Sequence, residues 1–391
     1  MSEAALPVLW ISGPPAVGKT TAGWQLFTQL TQEAIPAGYV DIDQLGMCYA
    51  APTPDRWAPE PADDPGRYRM KAHNLDAVVA NFRAAGARCV VVSGVVDPAR
   101  GVERDLMPHA AVTSCRLRVA PADLRRRIAA RGRPTDQFDE VSQYADALDR
   151  NEVNGVAIDT TGHSVAGVVR LVREHTGGWP RLSGHEDGEH AYGDPVAGPG
   201  EILWLCGATA VGKSTVGWQI YESVSRAGCS AAFVDLEQIG FHRPLSALDQ
   251  GNHRLKAANL AAMWQTYRAR GAQRLIVVGS AERPEAVRAY RAALPDATIT
   301  LCRLHAGRDE LAARVRLRGQ GLTSAWGLAG DELRGQPTGR LRHIADRASA
   351  EAEALEAAGV GDLRVDTDGR SVQDITQVVL ERTSLLEPRS E

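Results

Sequence analysis

Residues 8–26 read VLWISGPPAVGKTTAGWQL, and residues 202–220 read ILWLCGATAVGKSTVGWQI. Each is an apolar run of strand length, followed by a loop bounded by glycines and a stretch suited to helix. Gly13 to Thr20 and Gly207 to Ser214 both satisfy G-x-x-x-x-G-K-[ST]. A loop that turns its backbone N–H groups inward around phosphate oxygens needs glycine where chain and anion come closest. The helix that follows adds the partial positive charge of its N-terminus. Gly13, Ala16, Val17, Gly18, Lys19, Thr20 and Thr21 would form one cradle, and Gly207, Ala210, Val211, Gly212, Lys213, Ser214 and Thr215 the other. In each, the lysine reaches the outer phosphates of ATP and the hydroxyl of Thr20 or Ser214 holds magnesium. A single match to this pattern arises easily by chance. Two matches, each after a strand and before a helix, do not.

The correspondence continues outward. YVDIDQLG (39–46) answers FVDLEQIG (233–240), RMKAHNL (69–75) answers RLKAANL (254–260), and AGARCVVVSG (85–94) answers RGAQRLIVVG (270–279). CRL recurs at 115–117 and 302–304, and IDTTGHSV (158–165) meets VDTDGRSV (365–372). The chain therefore reads as two copies of one domain, 1–175 and 201–391. Residues 176–200 between them are rich in Gly, Pro and His and read as a flexible linker. His185 and His190 there could take a metal, but a solvated tether is the preferred reading. The 44 basic residues include only four lysines, Lys19, Lys71, Lys213 and Lys256, and these fall at two equivalent positions per copy. A chain that solvates its surface with arginine keeps lysine where a compact ammonium is needed.

At 391 residues the chain has room for two or three domains. Its 44% hydrophobic and 24% charged content is that of a globular protein. No apolar run approaches the roughly 20 residues that span a bilayer, and Met1-Ser2-Glu3-Ala4 lacks the basic start of a secretory signal. A net charge of −4 weighs against a protein built to grip nucleic acid. Six cysteines without a C-x-x-C pair read as reduced thiols of a cytoplasmic protein.

Strands alternating with helices mean an α/β fold, here two tandem P-loop domains, each a mainly parallel sheet flanked by helices. Cys89–Val92 and Leu275–Val278 are apolar throughout, as strands buried on both faces are. Leu75, Val78, Val79 and Phe82, answered by Leu260, Met263, Trp264 and Tyr267, mark the core face of a helix. Trp24 and Trp218 are expected to pack on the sheet. No carboxylate closes the strands VVVSG or IVVGS, and no N-K-x-D guanine motif occurs, which argues against motor ATPases and GTPases. The acids instead follow the second strand, as Asp41-Ile-Asp43 and Asp235-Leu-Glu237. At a strand's C-terminal edge they face the ligand crevice, where Asp41 and Asp235 can hold magnesium while Asp43 and Glu237 take a proton. The plainer alternative makes them helix caps or turn acids.

This layout resembles the small-molecule P-loop kinases, most closely adenylylsulfate kinase, with chloramphenicol phosphotransferase, shikimate kinase and gluconate kinase as looser relatives. In adenylylsulfate kinases a D-x-D follows the second strand, and a helix bearing R-x-x-N touches the acceptor. Lys71-Ala-His-Asn74 and Lys256-Ala-Ala-Asn259 occupy that second place, with lysine for arginine. The resemblance implies substrate contact by Lys71, Asn74, Lys256 and Asn259; a solvated helix face is the alternative. It also implies an arginine lid, for which Arg127, Arg131, Arg133, Arg314, Arg316 and Arg318 are the candidates, and a nucleotide-side loop at Asp159–Gly162 and Asp366–Gly369.

The copies differ in spacing. Asp43 and Lys71 are 28 positions apart but Glu237 and Lys256 only 19, whereas Arg131 to Asp159 spans 28 and Arg318 to Asp366 spans 48. Together these features lead to the expectation of a phosphotransferase that moves the γ-phosphate of Mg·ATP to a hydroxyl of a small acceptor. Both halves bind nucleotide in this reading, the first is the better catalyst, and the duplication allows the halves to pack as an internal pseudo-dimer. A nucleotide-controlled ATPase switch is the main rival, and phosphorylation of nucleic-acid ends the weakest.

Overall fold

In the computed structural model, residues 5–49, 65–130, 136–151, 155–182, 192, 198–247, 249–281, 283–321, 329–383 and 385–386 are described. The first repeat supplies strands β1 (Leu6–Ser12), β2 (Ala37–Asp41), β3 (Cys89–Ser93), β4 (Ala110–Arg118) and β5 (Val156–Asp159). Helices α1 (Lys19–Gln32), α2 (Pro65–Ala84), α3 (Pro121–Ala129), α4 (Asp136–Arg150) and α5 (Val165–His175) alternate with them. The second repeat supplies β6 (Gly200–Cys206), α6 (Lys213–Arg226), β7 (Ala231–Asp235), β8 (Phe241–Arg243), α7 (His253–Ala269) and β9 (Arg274–Val278). It ends with α8 (Pro284–Ala293), β10 (Ala297–His305), α9 (Arg308–Gly319), α10 (Thr338–Ala357), β11 (Leu363–Asp366) and α11 (Val372–Glu381).

The two sheets share one order. The first runs β5-β4-β1-β3-β2-β8 and the second β11-β10-β6-β9-β7, so the strand that leads into each phosphate loop is central. Apart from β8 every pairing is parallel, with Val8 opposite Val90 in one sheet and Ile202 opposite Leu275 in the other. The central strands are aliphatic on both faces because helices cover both sides, and β3 and β9 are buried along their whole length. Leu75, Val78, Val79 and Phe82 of α2 and Leu260, Met263, Trp264 and Tyr267 of α7 are buried as their periodicity requires.

The compact units do not follow the repeat boundary throughout. One comprises Met1–Gly46, Asp64–Gly193 and Gln238–Leu255; the other comprises Met47–Asp63, Asp194–Glu237 and Lys256–Glu391. Each unit thus includes a segment drawn from the opposite repeat. In the first, β8 pairs antiparallel with β2, Gly38 opposite His242, and the Phe241 ring stands edge-on to Trp24 at 4.8 Å. In the second, Met47 is buried among Val216, Ala231 and Phe233, and its carbonyl accepts the Phe233 N–H at 2.8 Å. Trp24 meets Tyr39 of β2, and Trp218 meets Phe233 of β7, both edge-on. Cys229 is half-buried, the other five cysteines are buried, and all six are free thiols. Among the described residues no helix is long and apolar enough to cross a membrane.

Candidate active site

The two phosphate loops adopt the same backbone. Gly13 and Gly207 both have φ +137, where a Cβ would come within 2.5 Å of the Leu117 carbonyl or 2.4 Å of the Leu304 carbonyl. Ala16 and Ala210 both stand at φ 65, a left-handed conformation uncommon for a residue with a side chain. Gly18 and Gly212 cap their helices at φ 107. Lys19 Nζ donates to the Pro14 carbonyl at 2.9 Å, while Lys213 Nζ donates to Gly207 and Ala208 at 2.7 and 3.0 Å. Each ammonium folds over its own loop. Thr21 and Thr215 are exposed at the first turn of α1 and α6.

Beside each loop stands the acid pair. The Thr20 hydroxyl donates to Asp41 Oδ2 at 3.1 Å, and the Ser214 hydroxyl to Asp235 Oδ2 at 3.0 Å. The other oxygen of each aspartate accepts the backbone N–H of the second acid, Asp43 or Glu237, at 3.1 or 3.0 Å. Asp41 caps the 3-10 turn Ile42–Leu45 and also accepts the loop hydroxyl. Burial first, and the neighbouring acid second, push Asp41 and Asp235 up to about 6. The loop lysine, Lys19 or Lys213, draws each back only in part.

The second acids behave in the opposite way. Lys71 Nζ lies 2.8 Å from Asp43 Oδ1, and Lys256 Nζ lies 2.7 Å from Glu237 Oε2. Burial opposes ionisation of Asp43 and Glu237, but Lys71 or Lys256 beside each and the loop lysine behind it together hold the carboxyl below its ordinary value. Lys71 is 2% exposed and Asp43 49%, so a buried ammonium presents a carboxylate to solvent. All four lysines of the chain are thus committed to these two sites.

The other expected site residues lie as follows. Asn74 and Asn259 are fully buried. Asn74 ties the Leu45 carbonyl at 2.7 Å and so fixes the acid turn without reaching an acceptor. Lys71 and Lys256 face the acids Asp43 and Glu237. Arg127 and Arg314 do approach the loops, but at the Val17 and Val211 carbonyls, each at 2.7 Å. Arg314 also holds Thr367 and pairs with Glu310. Arg318 pairs with Asp331. Arg131 and Arg133 lie outside the described residues, as do His185 and His190 of the linker.

Other contributors escaped the sequence reading. Arg67, buried, donates to the Gly46 carbonyl at 2.9 Å. The Tyr39 hydroxyl meets Ser93 Oγ at 2.7 Å, and Ser93 in turn reaches Asp41 at 3.4 Å. Ser280 donates to Glu237 Oε1 at 3.2 Å. Tyr39 and Ser93 are replaced in the other copy by Phe233 and Val278. That polar-for-apolar exchange was the signal available to find them. A recess lined by Trp10, Ile42, Tyr68, Lys71, Val96 and Glu103 adjoins the first acid pair.

A phosphate loop rising from the central strand of a mainly parallel sheet, with acids at the end of a nearby parallel strand, is a P-loop type of α/β fold, and this chain carries it twice. No protein-family profile matches the chain, and no curated protein does. Similar solved structures include the Deinococcus radiodurans tunicamycin resistance protein (22% identity, 44% of this chain, 96% of that chain, TM-score 0.34). Others are the APS kinase of Mycobacterium tuberculosis in complex with AMPPNP and APS (20%, 48%, 98%, 0.30) and a gluconokinase from Sinorhizobium meliloti 1021 (18%, 45%, 94%, 0.30). Each spans a little under half of this chain. Likeness at this level leaves the function to be argued from the site.

Proposed function

We propose that the protein is an ATP-dependent phosphotransferase that moves the γ-phosphate of Mg·ATP to a hydroxyl of a small molecule, with the first unit as the better catalyst. The observation that carries this reading is the Asp43–Lys71 pair, two residues beyond the carboxylate that holds Thr20. It supplies an oriented, ionised acceptor of a proton beside a phosphate cradle.

The donor set suits magnesium. That ion takes one or two carboxylates together with phosphate and water oxygens, and Thr20 with Asp41, or Ser214 with Asp235, offers one hydroxyl and one carboxylate. Held there, magnesium would supply neutralisation of the phosphate charge. The chain's own residues do the rest. Loop amides and Lys19 hold the phosphates in place, and Arg127 braces the loop through the Val17 carbonyl. Lys71 fixes Asp43 through Oδ1, so that Oδ2 can accept the acceptor's O–H and aim its oxygen at the phosphorus. A carboxylate of depressed pKa is a weak base. Phosphoryl transfer asks chiefly for positioning and charge neutralisation, so this is no obstacle.

The second unit has the same parts in a less open state. Both Glu237 oxygens are engaged, one by Lys256 and one by Ser280, whereas Asp43 uses only Oδ1 for its lysine. This favours the first unit for catalysis. The test is to incubate the chain with labelled ATP and a broad metabolite pool. A phosphorylated product that disappears in Asp43→Asn supports transfer. ATP consumption at one rate with or without the pool, and no such product, would leave the switch reading in its place.

A further inference from the structure

Tyr144 and Glu351 hold equivalent positions in the two units. Arg116 of β4 and Arg303 of β10 belong to the matching Cys-Arg-Leu triplets, and each pairs with a helix acid, Asp149 of α4 or Glu356 of α10. Five residues before those acids come Tyr144 and Glu351. In the first unit the Tyr144 hydroxyl donates to the Val96 carbonyl at 2.6 Å and accepts the Val96 N–H at 3.1 Å. In the second, Glu351 Oε2 accepts the Thr209 N–H at 2.9 Å and the Thr209 hydroxyl at 3.3 Å. Thr209 is the third residue of the second phosphate loop. Its counterpart in the first loop is Pro15, which has no N–H to offer.

The second loop therefore has a donor that the first lacks, and a carboxylate already occupies it. Its place along the cradle can be read from Lys213, the residue that serves the outer phosphates. The Lys213 ammonium rests on the carbonyls of Gly207 and Ala208, immediately before Thr209. The helix N-terminus that receives the inner phosphates begins at Lys213 itself, at the loop's other end. Glu351 thus puts its negative charge at the outer-phosphate end. A terminal γ-phosphate must approach that charge closely, whereas a diphosphate ends short of it.

We infer that Glu351 makes the second loop selective for a nucleoside diphosphate over a triphosphate, an inference that rests on both loops being nucleotide sites. The two units then have unlike ligands: the first takes the triphosphate it consumes, and the second reads the diphosphate that transfer releases.

The test uses the full chain carrying Lys19→Ala, which silences the first loop, and titrates ADP and ATP with magnesium by calorimetry. The chain with Glu351 intact should bind ADP more tightly than ATP. Glu351→Gln keeps an acceptor for the Thr209 N–H but removes the charge. It should tighten ATP about tenfold while changing ADP less than about threefold, because like charges in contact are strongly disfavoured. Glu351→Asp, which withdraws the carboxylate by one methylene, should fall between them and carries the test if the glutamine variant does not fold. An equal effect on both nucleotides, or weaker ATP binding in Glu351→Gln, overturns the selectivity. Absence of binding by either nucleotide overturns the nucleotide reading of this loop and the selectivity with it. Product formation with Lys19 intact is read separately, so failure of the transfer reaction leaves the binding ratio standing.

Discussion

Asp235 is 7% exposed and carries a carboxyl pushed up to about 6, first by burial and then by Glu237. A rise of that size from 3.8 disfavours the ionised form by about 3 kcal/mol. The folded chain then binds the proton more readily than the unfolded chain between about pH 4 and 6. This group's contribution to stability is greatest below pH 4 and falls as pH rises through that range. Asp235→Asn should therefore raise the melting temperature of the metal-free protein at pH 7 and leave it nearly unchanged at pH 4. Magnesium should lose its stabilising effect in the same variant. Gly46 offers a second test. A Cβ there would come within 2.4 Å of Lys71 Cε, although the Gly46 backbone (φ −126) suits any residue. Gly46→Ala should displace the lysine from Asp43 and lower kcat by roughly tenfold or more, since misplacing a reacting group by about 1 Å can lose ~10²-fold. Circular dichroism should remain that of the folded chain.

Elements legible in advance were those whose burial leaves a mark on composition. β1, β3, β6 and β9 are aliphatic runs because both of their faces are covered, and α2 and α7 show their core face through spacing. β8 left no such mark. Phe241-His242-Arg243 is three residues of mixed polarity, and only the edge of β2 makes it a strand. The acids and lysines of the site were identifiable singly, but nothing in a separation of 28 or 19 positions announces that Lys71 meets Asp43 or that Lys256 meets Glu237. The tie from Asn74 to the Leu45 carbonyl was hidden for the same reason: which carbonyl a buried amide faces is decided by packing. Phe241→Ala should destabilise by about 2 kcal/mol and should disturb the environment of Trp24, in the first unit, although residue 241 belongs to the second repeat. Met47→Ala, removing a buried side chain, should cost about 2–4 kcal/mol and affect the second unit, although residue 47 belongs to the first repeat. Local probes in the two units would check both assignments.

Across the whole molecule, duplication has preserved the cradles and altered their surroundings. Tyr39 and Ser93 give way to Phe233 and Val278, Pro15 to Thr209, and Tyr144 to Glu351. The cradle geometry is nevertheless the same to within a few degrees at Ala16 and Ala210. Removing one lysine from each loop should therefore have unequal effects. Lys19→Ala should lower product formation by about 10²-fold or more, the scale of losing one preorganised charge donor. Lys213→Ala should leave the chemical step largely intact and alter its response to nucleotide. The reverse ranking would show that the second unit does the chemistry.

The confinement of lysine to these sites has an experimental corollary. The sequence offers an acylating reagent only four ε-amines, three of them buried until the site opens, each beside a phosphate loop or an acid turn. Peptide mapping after such treatment, with and without nucleotide, would give a footprint of site occupancy free of surface background.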